Sequence, residues 1–108
     1  MPKLIYLASP YTHEDKLIEL DRFKAACKAA GEMFASGHFV FSSIAHCHPI
    51  AMAHGLPTNF KFFADYDRLM IDKCDELIVL RLDGWEDSIG VKGEIRYAES
   101  IGLPVRYM

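Results

Sequence analysis

The run Leu77-Ile78-Val79-Leu80, then Asp83-Gly84-Trp85-Glu86-Asp87-Ser88-Ile89-Gly90-Val91-Lys92-Gly93-Glu94, then Ile95, Ala98 and Ile101 before Gly102, decides how this chain folds. Four consecutive apolar, partly β-branched residues read as a strand buried on both faces. Ile95, Ala98 and Ile101 recur at helical spacing, and Gly102 is a helix stop. A strand, a short loop and a helix make half of a βαβ unit. Glu94 is therefore expected in the first helical turn, just beyond the C-terminal edge of a strand. In an open parallel sheet that edge is where ligands bind.

The same alternation extends upstream. Lys3 to Ala8 is apolar and β-prone, and is broken by Ser9-Pro10. Thr12, with Asp15 three positions on, reads as a helix cap. Leu17, Leu20, Phe23, Cys27, Ala30, Met33 and Phe34 then mark one face of a helix that ends at Gly37. Phe39-Val40-Phe41 is a second strand. Ser42 to Asn59, rich in His, Pro and Gly, reads as a long connection and a pocket wall or lid. A helix follows from about Phe60 to Lys73, with Phe63, Tyr66, Met70 and Phe62 facing inward. Glu76 to Leu82 is the third strand, and Pro104 to Tyr107 the last. The prediction is an α/β fold: a three-layer, flavodoxin-like or Rossmann-like parallel sheet, strand order 2-1-3-4, helices on both faces. At 108 residues this is one domain, residues 1–108.

Composition narrows the function. Apolar residues make up 51%, charged residues 25%, and the net charge is −3 with scattered Lys and Arg. That profile predicts neither a nucleic-acid groove nor a membrane-binding face. No apolar run approaches the ~20 residues that span a bilayer. The N-terminal segment reads as a strand start, too short for a signal peptide. Cys27, Cys47 and Cys74 form no CxxC pair and are odd in number, which predicts reduced thiols in a cytoplasmic protein, with Cys27 packed on its helix face. Exposed edges in so small a sheet predict a homo-oligomer.

Several side chains could carry chemistry. Glu94 is either a nucleophile or base, or an acid that merely favours a helix N-terminus. Ser88 and Gly90 precede the same helix, where a hydroxyl and free N–H groups can hold an anion or simply cap. Tyr6, in a strand expected to be buried, bonds to backbone or orients Glu94. Asp67 points into the cleft or lies on a solvated face, and Asp75 terminates a turn. Trp85 is a lid, a subunit contact or core rim. His46-Cys47-His48 with His54 is a rival constellation, but its spacing matches no standard zinc signature. No GxGxxG follows the first strand and no GxxxxGK[ST] occurs, so neither a dinucleotide nor a P-loop site is expected. No metal and no cofactor are expected.

The segments Ile5-Tyr6-Leu7-Ala8-Ser9-Pro10, Asp67 with Asp75 eight residues later, Ser88 to Ile95, and Gly102-Leu103-Pro104-Val105 resemble the nucleoside 2-deoxyribosyltransferase superfamily, which includes 2′-deoxynucleoside 5′-monophosphate N-glycosidases. A bacterial and phage branch of it, DUF1937, resembles this chain over nearly its full length, including Ile44-Ala45-His46 and His48-Pro49-Ile50. The resemblance implies cleavage or transfer at the N-glycosidic bond of a nucleoside or nucleotide. It implies that Glu94 attacks the anomeric carbon, that Tyr6 holds Glu94, and that Asp67 contacts the nucleoside. The superfamily's monophosphate hydrolases carry serine at the position of Ser88, near the phosphate. The substrate-binding candidates are Ser9, Pro10, His46, His48, Asp83, Trp85, Ser88, Gly90 and Val91. The alternative is a non-catalytic nucleotide or nucleotide-sugar binding module; a hydrolase with a metal held by the histidines is a third reading.

Overall fold

A computed structural model describes residues 2–108. Strands β1 (Leu4–Ala8), β2 (Phe39–Ser42), β3 (Glu76–Val79) and β4 (Val105–Tyr107) form one sheet in the order β2-β1-β3-β4, with every pairing parallel. The predicted class and strand order are those observed. β1 lies inside, so its alternating side chains feed two cores. Ile5 and Leu7 pack with Ala29, Ala30 and Met33 of helix α1 (Lys16–Ala35). Tyr6 and Ala8 face the other way and pack with Ile71 of α3 (Phe60–Asp72) and with Val91 and Ala98 of α4 (Ile89–Ser100). The register sets Tyr6 between Phe41 and Leu77.

Five local expectations are corrected. Asp15, not Thr12, caps α1, its side chain accepting from Leu17 N at 2.9 Å, while Thr12 Oγ1 donates to Thr58 O at 2.7 Å. Within α1, Leu17, Cys27 and Phe34 are exposed; the buried line runs Glu19, Ala26, Ala29, Ala30, Met33. The expected connection from Ser42 to Asn59 is mostly helix, α2 (Ser43–His54), capped by Ser42 Oγ on Ala45 N at 3.1 Å and stopped at Gly55. Pro49 lies inside it, where proline removes one backbone donor. In α3 the buried residues are Ala64, Asp67 and Ile71, one position round from the aromatic stripe, so Phe62 and Tyr66 are exposed. β3 stops at Val79 because Leu82 N turns back onto Leu80 O at 2.9 Å. Asp75 ties the start of β1, its Oδ2 accepting from Leu4 N at 2.8 Å.

Two close approaches shape the C-terminal edge. Arg22 of α1 donates to Thr12 O at 3.1 Å and to Asp83 O at 3.2 Å, bracing the β1–α1 loop against the loop after β3. Beside it Gly84 has φ +86°, a conformation that a side chain resists, and a Cβ there would stand 2.8 Å from Arg22 Nη2. The Phe60 ring rests on Gly93 of α4, where a Cβ would lie 2.8 Å from Cζ and 2.9 Å from Cε2.

Gly93→Ala must therefore displace the Phe60 ring. Overpacking of this kind costs about 1–3 kcal/mol, and for a domain of this size each of these lowers Tm by about 4–8 °C. Thermal unfolding measures it; a Tm equal to wild type would mean that the α3–α4 contact is looser than described.

Candidate active site

Where the β1–α1 loop, α2, α3 and the start of α4 converge, they enclose a hollow of about 460 Å³ at the C-terminal edge of the sheet. That volume suits a small organic molecule. Phe60 and Phe63 give it flat apolar walls, and Lys61 and Asp87 stand on its lining.

Its floor is acidic. Tyr6 is 0% exposed, Asp67 5% and Glu94 7%. Tyr6 Oη donates to Glu94 Oε2 at 2.5 Å, and Ser43 Oγ donates to Asp67 Oδ1 at 2.5 Å. Glu94 occupies the second turn of α4, not the first, so the phenol rather than the helix N-terminus fixes its orientation. Among the described residues no Lys or Arg pairs with either acid. Burial, then the charge of Asp67, pushes Glu94 well above the usual carboxylate range; the bond from Tyr6 opposes this. Burial raises Asp67 as well, against the Ser43 hydrogen bond. Burial and then the Glu94 charge raise Tyr6, which stays a phenol. Two carboxyls desolvated side by side hold a proton between them. Such a pair can offer an acid and a carboxylate at once.

The opposite wall is built on α2. His48 is stacked on Phe23 of α1 with centroids 4.3 Å apart, and its Nδ1 is 2.5 Å from Tyr11 Oη. Burial lowers His48 and raises Tyr11 to about 12. Between the two walls, at the end of β1, Ser9 Oγ is buried without a hydrogen-bond partner. An unpartnered buried hydroxyl is costly.

Of the residues expected from sequence, Ser9, His48, Asp67, Ser88, Gly90 and Glu94 line the hollow, with Tyr6 directly behind Glu94. Ser88 caps α4, accepting from Val91 N at 3.2 Å. The others lie elsewhere. Pro10 is packed in the interior and Val91 belongs to the core. His46 stacks on Tyr66 beside a second, shallower hollow. Asp83 offers its carbonyl to Arg22, Trp85 packs on Tyr107 at the core rim, and His54 is exposed. No group of three or more potential metal ligands occurs among the described residues. Nor does any described helix have the length and apolarity to cross a membrane. Sequence reading missed Ser43 and Phe60. It also missed Glu19, buried on α1, which accepts from His13 N at 3.0 Å and pairs with Lys16 Nζ at 3.1 Å. Thr58 Oγ1, on the hollow's lining, bonds Glu19 Oε2 at 3.2 Å. Ser43, Cys47 and Ala51 recur every fourth residue and are the signal that could have revealed α2.

A family model described as Domain of unknown function (DUF1937) matches residues 3–108. Among solved structures, the 2-deoxyribosyltransferase of the psychrotolerant bacterium Bacillus psychrosaccharolyticus, a biocatalyst for the synthesis of antiviral and antitumoral nucleosides, is similar with a TM-score of 0.62 and 26% identity; the match covers 96% of this chain and 70% of that one. No curated protein matches the chain.

Glu94 also governs how stability varies with pH. Its folded-state value lies above the ordinary 4.5, so the folded protein binds the extra proton. The stability this gives is complete below about 4.5 and is lost as pH rises through the folded value. Glu94→Gln, neutral and of the same shape, should thus melt higher than wild type at neutral pH. The gain should shrink towards pH 4.5. Melting curves across that range check it; a pH-independent difference would deny the buried proton.

Proposed function

The chain belongs to the DUF1937 family, and we propose that it cleaves the N-glycosidic bond of a (deoxy)nucleoside or its 5′-monophosphate, with Glu94 as nucleophile and water or a second base as acceptor. One observation carries this reading: a phenol and two carboxyls are buried together at the base of a ligand-sized hollow, and among the described residues no Lys or Arg pairs with them. A binding module gains nothing from so costly an arrangement. A nucleophile and its acid partner do. The likeness to a 2-deoxyribosyltransferase supports the same bond class.

The steps follow from where the protons sit. Glu94 passes its retained proton to Asp67 and, favoured as carboxylate by the Tyr6 bond, attacks the anomeric carbon. The carbon–nitrogen bond breaks, its electron pair leaves on the base, and Asp67 protonates that nitrogen. A glycosyl ester on Glu94 results. Asp67, now a carboxylate, takes a proton from water or from the incoming base as it attacks the same carbon, and Glu94 is released. Two displacements retain the anomeric configuration. Ser43 Oγ, which can donate or accept, follows Asp67 through both protonation states. A 5′-phosphate would meet Ser88 and the free N–H groups at the start of α4, with Lys61 on the same lining.

Glu94→Ala and Glu94→Gln should each lower base release by about 10³-fold or more, as loss of a nucleophile does. The assay is chromatography of free base from a panel of nucleosides and 5′-monophosphates. Intact-mass spectrometry of quenched wild-type protein should find the added glycosyl group. Unchanged turnover in both variants would remove Glu94 from the reaction, and tight binding without product would leave a binding module.

A further inference from the structure

We propose that His48, held by Tyr11, is the nucleobase-recognition donor of the hollow, its Nε2–H directed at an oxo group on the base edge remote from the glycosidic bond. The preferred ligands are then 6-oxo purines and 4-oxo pyrimidines over their 6-amino and 4-amino counterparts. This rests on the N-glycosidic reading above for which end of the ligand meets Glu94.

The tautomer follows from the hydrogen bond. Tyr11, raised to about 12, keeps its proton at neutral pH, and since its Oη has no other hydrogen-bond partner among the described residues we assign that proton to the bond with His48 Nδ1. A neutral imidazole that accepts at Nδ1 carries its own proton on Nε2. The titratable groups that bear on His48 are Tyr11 from the β1–α1 loop and Glu19 from α1; burial outweighs the Glu19 charge and keeps the ring neutral. The ring cannot readily turn over. Phe23 lies flat against it at 27° between planes, and Tyr11 meets it edge-on at 86°.

The free nitrogen faces the hollow. His48 is buried and lines that cavity, and among the described residues its ring makes one hydrogen bond, at Nδ1. Ser9 Oγ alone is both fully enclosed and without a partner among the described residues, so Nε2 is reached from the cavity side.

Position then selects the base edge. Glu94 belongs to α4, packed on one face of the sheet, whereas His48 leans on Phe23 of α1, which covers the other. Along α2, His48 stands five positions beyond Ser43, the partner of Asp67, a rise of roughly 7.5 Å. A sugar held at the acids leaves its base extending toward His48. An oxo group accepts from the N–H, while an exocyclic amino group opposes a donor to a donor and leaves both unpaired.

The test separates this assignment from the catalytic one. Long-range proton–nitrogen NMR on 15N-labelled protein should place the His48 proton on Nε2, and Tyr11→Phe should mix the tautomers. Calorimetry on Glu94→Gln protein should find 2′-deoxyinosine bound on the order of ten- to a hundredfold more tightly than 2′-deoxyadenosine. His48→Ala in that background should erase the preference, and His48→Gln, which retains an N–H donor, should keep part of it. A proton on Nδ1, equal affinity for the two nucleosides, no binding of either, or a preference that survives His48→Ala would overturn the proposal. Full turnover by Glu94→Gln alongside a His48-dependent preference would instead discard the nucleophile and keep the donor.

Discussion

Two carboxyl groups and a phenol are buried together at the base of one hollow, and the placement of α3, α4 and β1 is what holds them there. Desolvated acids repel unless one is neutral, and each polar atom needs a partner. Tyr6 meets this need for Glu94 from the central strand, and Ser43 meets it for Asp67 from the first turn of α2. Four separate elements therefore have to arrive in register for the cluster to exist. The parallel order β2-β1-β3-β4 achieves this by bringing the β1 and β2 ends together with the α4 start that follows β3. The cluster is expensive as structure. Its cost is borne by cores on both sides of the sheet that contain no charge.

The sheet, its order and three of the helices were legible in the sequence because they are written in apolar periodicity. The acids were harder to place for the same reason. In α3 the buried line is Ala64, Asp67, Ile71, and in α4 it is Val91, Glu94, Ala98. Each is an i, i+3, i+7 stripe with an acid at its centre, and these two acids face one another. Periodicity read by hydrophobicity shifts α3 by one position onto Phe63, Tyr66 and Met70, since burial of a charge is not expected. An acid that completes an apolar stripe is thus a mark of function rather than an interruption of it. Glu19 obeys the same rule on α1, in line with Ala26, Ala30 and Met33, and there the buried charge meets Lys16 and Thr58 and serves the loop instead.

α2 shows the opposite failure. Its composition of His, Pro and small residues resembles a loop, and its larger apolar side chains Ile50 and Met52 are exposed rather than in the core. The helix exists because Ser42 caps it and because its buried side needs little volume. Ser43, Cys47 and Ala51 face a hollow rather than a packed interior. Small residues at fourfold spacing beside a cavity leave room for a ligand where leucines would fill it. Two of the three histidines that the sequence grouped as one metal-like constellation are parted by the same helix: His48 turns to the hollow and Phe23, and His46 to Tyr66.

Bracing of the rim explains how so small a sheet keeps the site open. Arg22 spends its guanidinium on backbone carbonyls of both loops, not on a carboxylate. Had it reached the floor, it would have neutralised Asp67 or Glu94 and lowered both into the ordinary range. The site would then be stable and chemically inert. Gly84 admits the arginine and Gly93 admits Phe60, so the two closest approaches are made where a side chain is missing. Cationic support is kept to the rim while the acids below stay unpaired, and that division of charge leaves their shared proton available to a ligand.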